Sequence, residues 1–120
     1  MNEQVTVVRI DSIRPHPTQS ERFQLISFHV GEDTITLVTG IHYAVGELGF
    51  YMPPGAIIPD KLADEMELLG RLGGSKKNKV RARNMGGIPS EGIFYGECGP
   101  SWNNQWVEGQ DITNEVGITF

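Results

Sequence analysis

The residues best suited to chemistry lie in one run, Lys76-Lys77-Asn78-Lys79-Val80-Arg81-Ala82-Arg83. Lys79, Arg81 and Arg83 alternate with Val80 and Ala82, so an extended chain puts the three cations on one face. Such a row suits a polyanion, because each phosphate neutralised by Lys or Arg releases counterions. Gly86-Gly87 and Pro89 then mark a turn. Ser90 and Glu91 follow it, a hydroxyl and a carboxylate able to hydrogen-bond sugar or base edges. Lys76 and Lys77 lie in the polar, glycine-bearing stretch 71–78, expected to be a mobile loop that orders on binding. Single-stranded binders also need aromatic platforms, worth ~1–3 kcal/mol per stacked base. Phe50, Tyr51, Phe94 and Tyr95 hold strand positions, and only one ring of each adjacent pair can face a groove. Tyr51 and Tyr95 are the better candidates, since a phenol tolerates water. The plainer alternative places all four rings in the core or its rim.

Catalytic chemistry finds little support. Cys98 could pair with His16, His29 or His42 as thiol and imidazole, but nothing in their spacing brings them together. The histidines show no close pair of the kind metal sites use. Gly73-Gly74-Ser75-Lys76 fails the phosphate-loop spacing, because Ser75 stands where the second glycine after Gly70 would fall. No lysine is followed by the x-Asp-Gly of an adenylylation signature. Glu91 is the first carboxylate to suspect, and its plainer role is bonding backbone N–H groups in a turn. The expectation is a chain with no catalytic residue, no metal and no cofactor, and therefore not an enzyme.

Charge narrows the function further. A net charge of -5 and a pI of about 5.1 exclude nucleic-acid coating by bulk charge. Yet Arg71, Lys76, Lys77, Lys79, Arg81 and Arg83 supply six of the ten basic residues within one short stretch, with no acid among them. This is an acidic body with one basic patch. The lone Cys98 precludes an internal disulfide and fits a reducing compartment. No apolar run approaches the ~20 residues of a membrane span. Met1-Asn2-Glu3-Gln4 lacks the marks of a signal peptide. A soluble, cytoplasmic protein without a membrane partner is expected.

The elements that must position these residues read as follows. At 120 residues, one domain over 1–120 is expected, able to bury a core without disulfides. A first strand spans Gln4 to Ile13, rich in β-branched residues, and is broken by Pro15 and Pro17. Phe23–Val30 and Thr34–Thr39 form a hairpin about Gly31-Glu32-Asp33. A loop runs over Gly40–Glu47, and a short strand over Leu48–Met52 ends at Pro53-Pro54-Gly55. Asp60–Leu69 is the best helix, with Asp60 as cap, an apolar stripe at Leu62, Met66 and Leu69, and Gly70 as the stop. Lys79–Met85 and Gly92–Gly96 are the last strands, and Asp111–Gly117 one helical turn. Five or six strands with one short helix predict an all-β fold, a partly open OB-type β-barrel.

Several segments carry a resemblance. Val8-Arg9-Ile10-Asp11-Ser12-Ile13-Arg14-Pro15-His16-Pro17, followed by Ser20-Glu21-Arg22-Phe23, resembles the opening of two related OB-fold groups. One is the tRNA-binding domain of aminoacyl-tRNA synthetases and its free-standing relatives. The other is the N-terminal OB-like domain of a phage and bacterial RNA ligase family. Val45–Pro54 resembles a ligase segment, Arg81–Ile93 a basic-then-Ser-Glu-Gly segment shared by both groups, and Val107–Ile118 the ligase linker into its catalytic domain. Ser20-Glu21 replaces Ala-Asp, and Gly86 stands where an arginine is usual.

The resemblance implies a core over about 4–98 and a linker-like extension over 99–120. The chain stops at Phe120, where the ligase catalytic domain would begin, which implies a free-standing or excised accessory domain. Its function would be non-catalytic nucleic-acid binding, with RNA or tRNA preferred. Its partners would be that RNA and an RNA ligase catalytic unit. The alternative is a protein-interaction or homodimerisation OB-fold domain, for which Met52, Ile57, Ile58, Trp102 and Trp106 would supply apolar surface.

Overall fold

The computed structural model describes every residue except Met1, Asn2 and Gly86, and only the backbone of Met85. Among the described residues the order is β1 (Thr6–Arg9), β2 (Ser12–Pro15), β3 (Phe23–Val30), β4 (Asp33–Gly40), β5 (Leu48–Met52), α1 (Asp60–Glu65), β6 (Arg83–Met85), β7 (Ile88–Ser90) and β8 (Ile93–Gly96). All pairings are antiparallel, in sheets β1-β5-β8 and β2-β3-β4 and a hairpin β6-β7. Among the described residues the chain is thus mostly β with one short helix, in eight strands where five or six were expected.

The expected first strand is two, because the chain changes sheets within it. Arg9 pairs with Leu48, the Ile10 N–H donates to the Glu47 carbonyl, and the Asp11 N–H donates to the Ser27 carbonyl. From Ser12 onward the partner is β3. The long β3–β4 hairpin closes tightly, with Val30 opposite Asp33 and Gly31 at φ 60°. That left-handed conformation is cheap for glycine.

The helix ends four residues earlier than expected. Pro59 occupies the N-cap with no side-chain capping bond, so Asp60 is the first helical residue instead of the cap. Asp60 places a carboxylate in the first turn, where the helix end is positive. Glu67 turns to φ 59° and stops the helix before the Leu69 stripe position, leaving Leu69 51% exposed.

The expected Lys79–Met85 strand survives only over its last three residues. Lys79 sits in isolated bridges to Ile57 and Gly73, and Val80 is buried with its N–H donating to the Ala56 carbonyl. Residues 113–117 form turns, seeded by the Thr113 N–H and hydroxyl, which both donate to Asp111 Oδ1. Those bonds hold the Asp111 carboxyl below its ordinary value. The Gly86-Gly87 turn lies partly outside the described residues; Gly87 adopts φ 86°.

The β1-β5-β8 sheet is buried on both faces. Val7, Phe50, Met52 and Tyr95 join one apolar cluster with Leu62, Trp106, Ile112 and Ile118. Val8, Ile10, Tyr51 and Phe94 join a second cluster with Ile26, Phe28 and Leu37 of the other sheet. Alternation along each strand therefore sends neighbours into two different cores, not into core and solvent. No helix among the described residues is long and apolar enough to cross a membrane.

Candidate nucleic-acid interface

The β4 strand, the segment 81–83 and β8 enclose a groove of about 480 Å³. Leu37, Val38, Ile93 and Phe94 give it an apolar lining, and the rings of Phe23 and Tyr43 add to it. Arg71, Arg81 and Arg83 line it as well, and all three are exposed. Arg83 Nη2 donates to the Arg71 carbonyl at 2.7 Å, which ties the loop after α1 to the start of β6. A cationic edge beside apolar and aromatic surface can hold a phosphate and shelter a base at once.

The two tyrosines expected as platforms are buried. Tyr51 is 6% exposed, packs on Phe28 with ring centroids 5.3 Å apart, and donates its hydroxyl to the Glu91 carbonyl at 2.6 Å. Burial, and then the Glu91 charge, push its phenol up to about 12. Tyr95 is 5% exposed and stacks on Phe50 at 4.7 Å. Its hydroxyl donates to Glu65 Oε2 at 3.0 Å and accepts the Ser101 N–H at 2.8 Å. Burial is again the leading cause of its raised pKa. Both rings lie inside because both faces of β5 and β8 are covered, so neither offers a face to a base.

The remaining expected residues divide. Arg81 and Arg83 come together in the groove, but Lys79 does not line it; Lys79 is half-buried in its bridges. Lys76 and Lys77 are exposed at the tip of a loop that the Gly73–Lys79 bridge closes with hydrogen bonds of 2.8 and 3.0 Å. Ser90 lines the groove but is 4% exposed, and its Oγ accepts the Val38 N–H at 3.2 Å. It pins β7 to β4. Glu91 is exposed, and its backbone carbonyl serves Tyr51. Of the apolar residues considered for a protein interface, Met52, Ile58 and Trp106 are core.

Sequence reasoning missed Arg71, Phe23 and Tyr43 as groove residues. Arg71 was counted only as charge, and Tyr43 lies in a stretch that reads as plain loop. Tyr43 stacks edge-on against Phe94 at 5.0 Å and lies 4.3 Å from the His42 ring. Its phenol is raised by burial, then by Glu47 and Cys98. Arg22 lies over the Phe23 ring at 5.4 Å, a cation–π contact. A second hollow of about 460 Å³ shares Tyr43, Leu68, Ile93 and Phe94 with the groove and contains Glu65, Glu67 and the exposed Cys98. Among the described residues no group of three or more His, Cys, Asp or Glu is placed to hold a metal.

Solved structures with the same fold exist. A mutant Naegleria gruberi RNA ligase with ATP and Mn matches with a TM-score of 0.80 and 19% identity, over 98% of this chain and 35% of that one. The same organism's RNA ligase with PPi gives a TM-score of 0.78 at 19% identity, over 99% and 35%. A mutant with AMP and Mn gives 0.77 at 19% identity, over 98% and 35%. No family model matches the chain, and no curated protein does. The class the fold defines is therefore a β-rich domain of the kind built into an RNA ligase. The chain spans about a third of the length of the ligase chains it matches, 35% in each of these three.

Proposed function

We propose that this chain is an RNA-binding module of OB type, which grips RNA for an RNA ligase catalytic unit. The observation that carries the reading is the groove in which Arg71, Arg81 and Arg83 stand beside the half-buried rings of Phe23 and Tyr43. The arginines take backbone phosphates and the apolar lining takes an unpaired base. Single-stranded RNA or an unpaired region of tRNA fits this arrangement better than a duplex, whose backbone would reach the cations and leave the apolar lining wet. The likeness in fold to RNA ligase supports the choice of RNA. In this reading the module contributes grip, and the nucleotide-bearing lysine belongs to the catalytic unit.

Fluorescence anisotropy of labelled single-stranded RNA and of tRNA, at two salt concentrations, tests it. Binding should weaken as salt rises, with a slope of about -0.7 per phosphate contact. The double variant Arg81→Ala/Arg83→Ala should bind at least about tenfold more weakly and flatten that slope by about 1.4, the share of two contacts. Absence of binding at low salt, or a double variant that binds like the parent, overturns the reading.

A further inference from the structure

We infer that Gly73 is the positioning residue for Arg81, and that the absence of its side chain leaves the room in which the Arg81 side chain lies along the groove. This rests on the RNA-binding reading of that groove. Gly73 and Arg81 both line it. A Cβ added at Gly73 would lie 2.3 Å from Arg81 Cδ, 2.3 Å from Nε and 2.8 Å from Cγ. These are the three nearest atoms it would meet, and all belong to the one side chain. Arg81 therefore lies across the Gly73 backbone, in space that any other residue would fill.

The glycine is not there for its own conformation. The positive-φ glycines include the neighbouring Gly70 and Gly74 but not Gly73, so alanine suits the Gly73 backbone. The backbone at Gly73 is also fixed, through paired hydrogen bonds with Lys79. It cannot retreat from a Cβ without breaking the bridge that closes the lysine-bearing loop. The yielding group is the arginine, which must swing off the glycine and away from its place in the groove. Arg83 has a tether of its own in the Arg71 carbonyl, so the two cations are held by separate means and only Arg81 depends on Gly73.

The test is a cycle of Gly73→Ala and Arg81→Ala, read by RNA anisotropy, thermal melting and the Arg81 Nε–Hε NMR resonance without RNA. Gly73→Ala alone should shift that resonance, leave the melting temperature within about 2 °C, and weaken RNA binding by up to about tenfold, the scale of one charge-assisted contact. In the Arg81→Ala background Gly73→Ala should cause no further loss of affinity. An unmoved Arg81 resonance overturns the inference, as does an affinity loss of equal size in both backgrounds. If the parent protein binds no RNA, the functional reading fails, while the resonance still decides whether Gly73 positions Arg81.

Discussion

At the scale of single residues, the cations and the phenols teach different lessons. Arg81 and Arg83 line one groove, as their two-residue spacing suggests, whereas Lys79 at the same spacing does not. Tyr51 and Tyr95 were misplaced because strand alternation tells which residues share a face and not whether that face meets water. Their polar tips are satisfied inside, by the Glu91 carbonyl and by Glu65 with Ser101. Tyr51 carries a pH consequence. Its folded-state pKa is about 12, above the ordinary 10.0, so folding favours the protonated phenol. The resulting stability is present below pH 10 and is lost as pH rises toward 12, up to about 2–3 kcal/mol at about 1.4 kcal/mol per unit. Urea unfolding across that range should show the fall. Tyr51→Phe should remove this part of the pH dependence at a cost of about 1 kcal/mol at neutral pH for the lost hydrogen bond.

At the scale of elements, local signals located most strands, misjudged several ends, and missed β7, which lies where Pro89 suggested only a turn. The β3–β4 hairpin was legible to within one residue at each end of β4, since a glycine turn between an apolar run and a β-branched one admits few alternatives. The helix was read too long, because nothing in Met66-Glu67-Leu68 signals that Glu67 will adopt a left-handed backbone. The β2–β3 connection shows another device that composition hides. His16 is 2% exposed, and its Nδ1 accepts the N–H groups of Thr18 at 3.2 Å and Gln19 at 3.1 Å. A side chain thus serves two backbone donors of a turn that has no ladder of its own. The turn leads directly into Phe23 of the groove. His16→Ala should destabilise the fold by about 2–3 kcal/mol in urea titration, because two donors lose their acceptor.

At the scale of the whole molecule, the stretch 99–120 resembles a linker in sequence, and in the structure it seats Trp106, Ile112 and Ile118 in the core. Ile112 and Ile118 are 0% and 2% exposed. The Val7 N–H donates to the Gln110 carbonyl, the Ile112 N–H to the Val5 carbonyl, and the Ile57 N–H to the Thr119 carbonyl. The glycines and polar residues of 99–117 hide this, since a few well-spaced apolar residues are enough to seat a segment against a sheet. Ile112→Ala should therefore cost about 2–5 kcal/mol, whereas Val107→Ala, at a position 62% exposed, should cost less than about 0.5 kcal/mol. Denaturant midpoints of the two variants separate the outcomes.

The hollow that adjoins the groove has a practical consequence. Cys98 is the chain's single thiol, it is exposed, and it shares that hollow with Tyr43 and Phe94 of the groove wall. A sulfhydryl-directed dye would mark one atom per molecule without any engineered handle. It would stand close enough to the Tyr43 ring for its emission to register whatever enters next door.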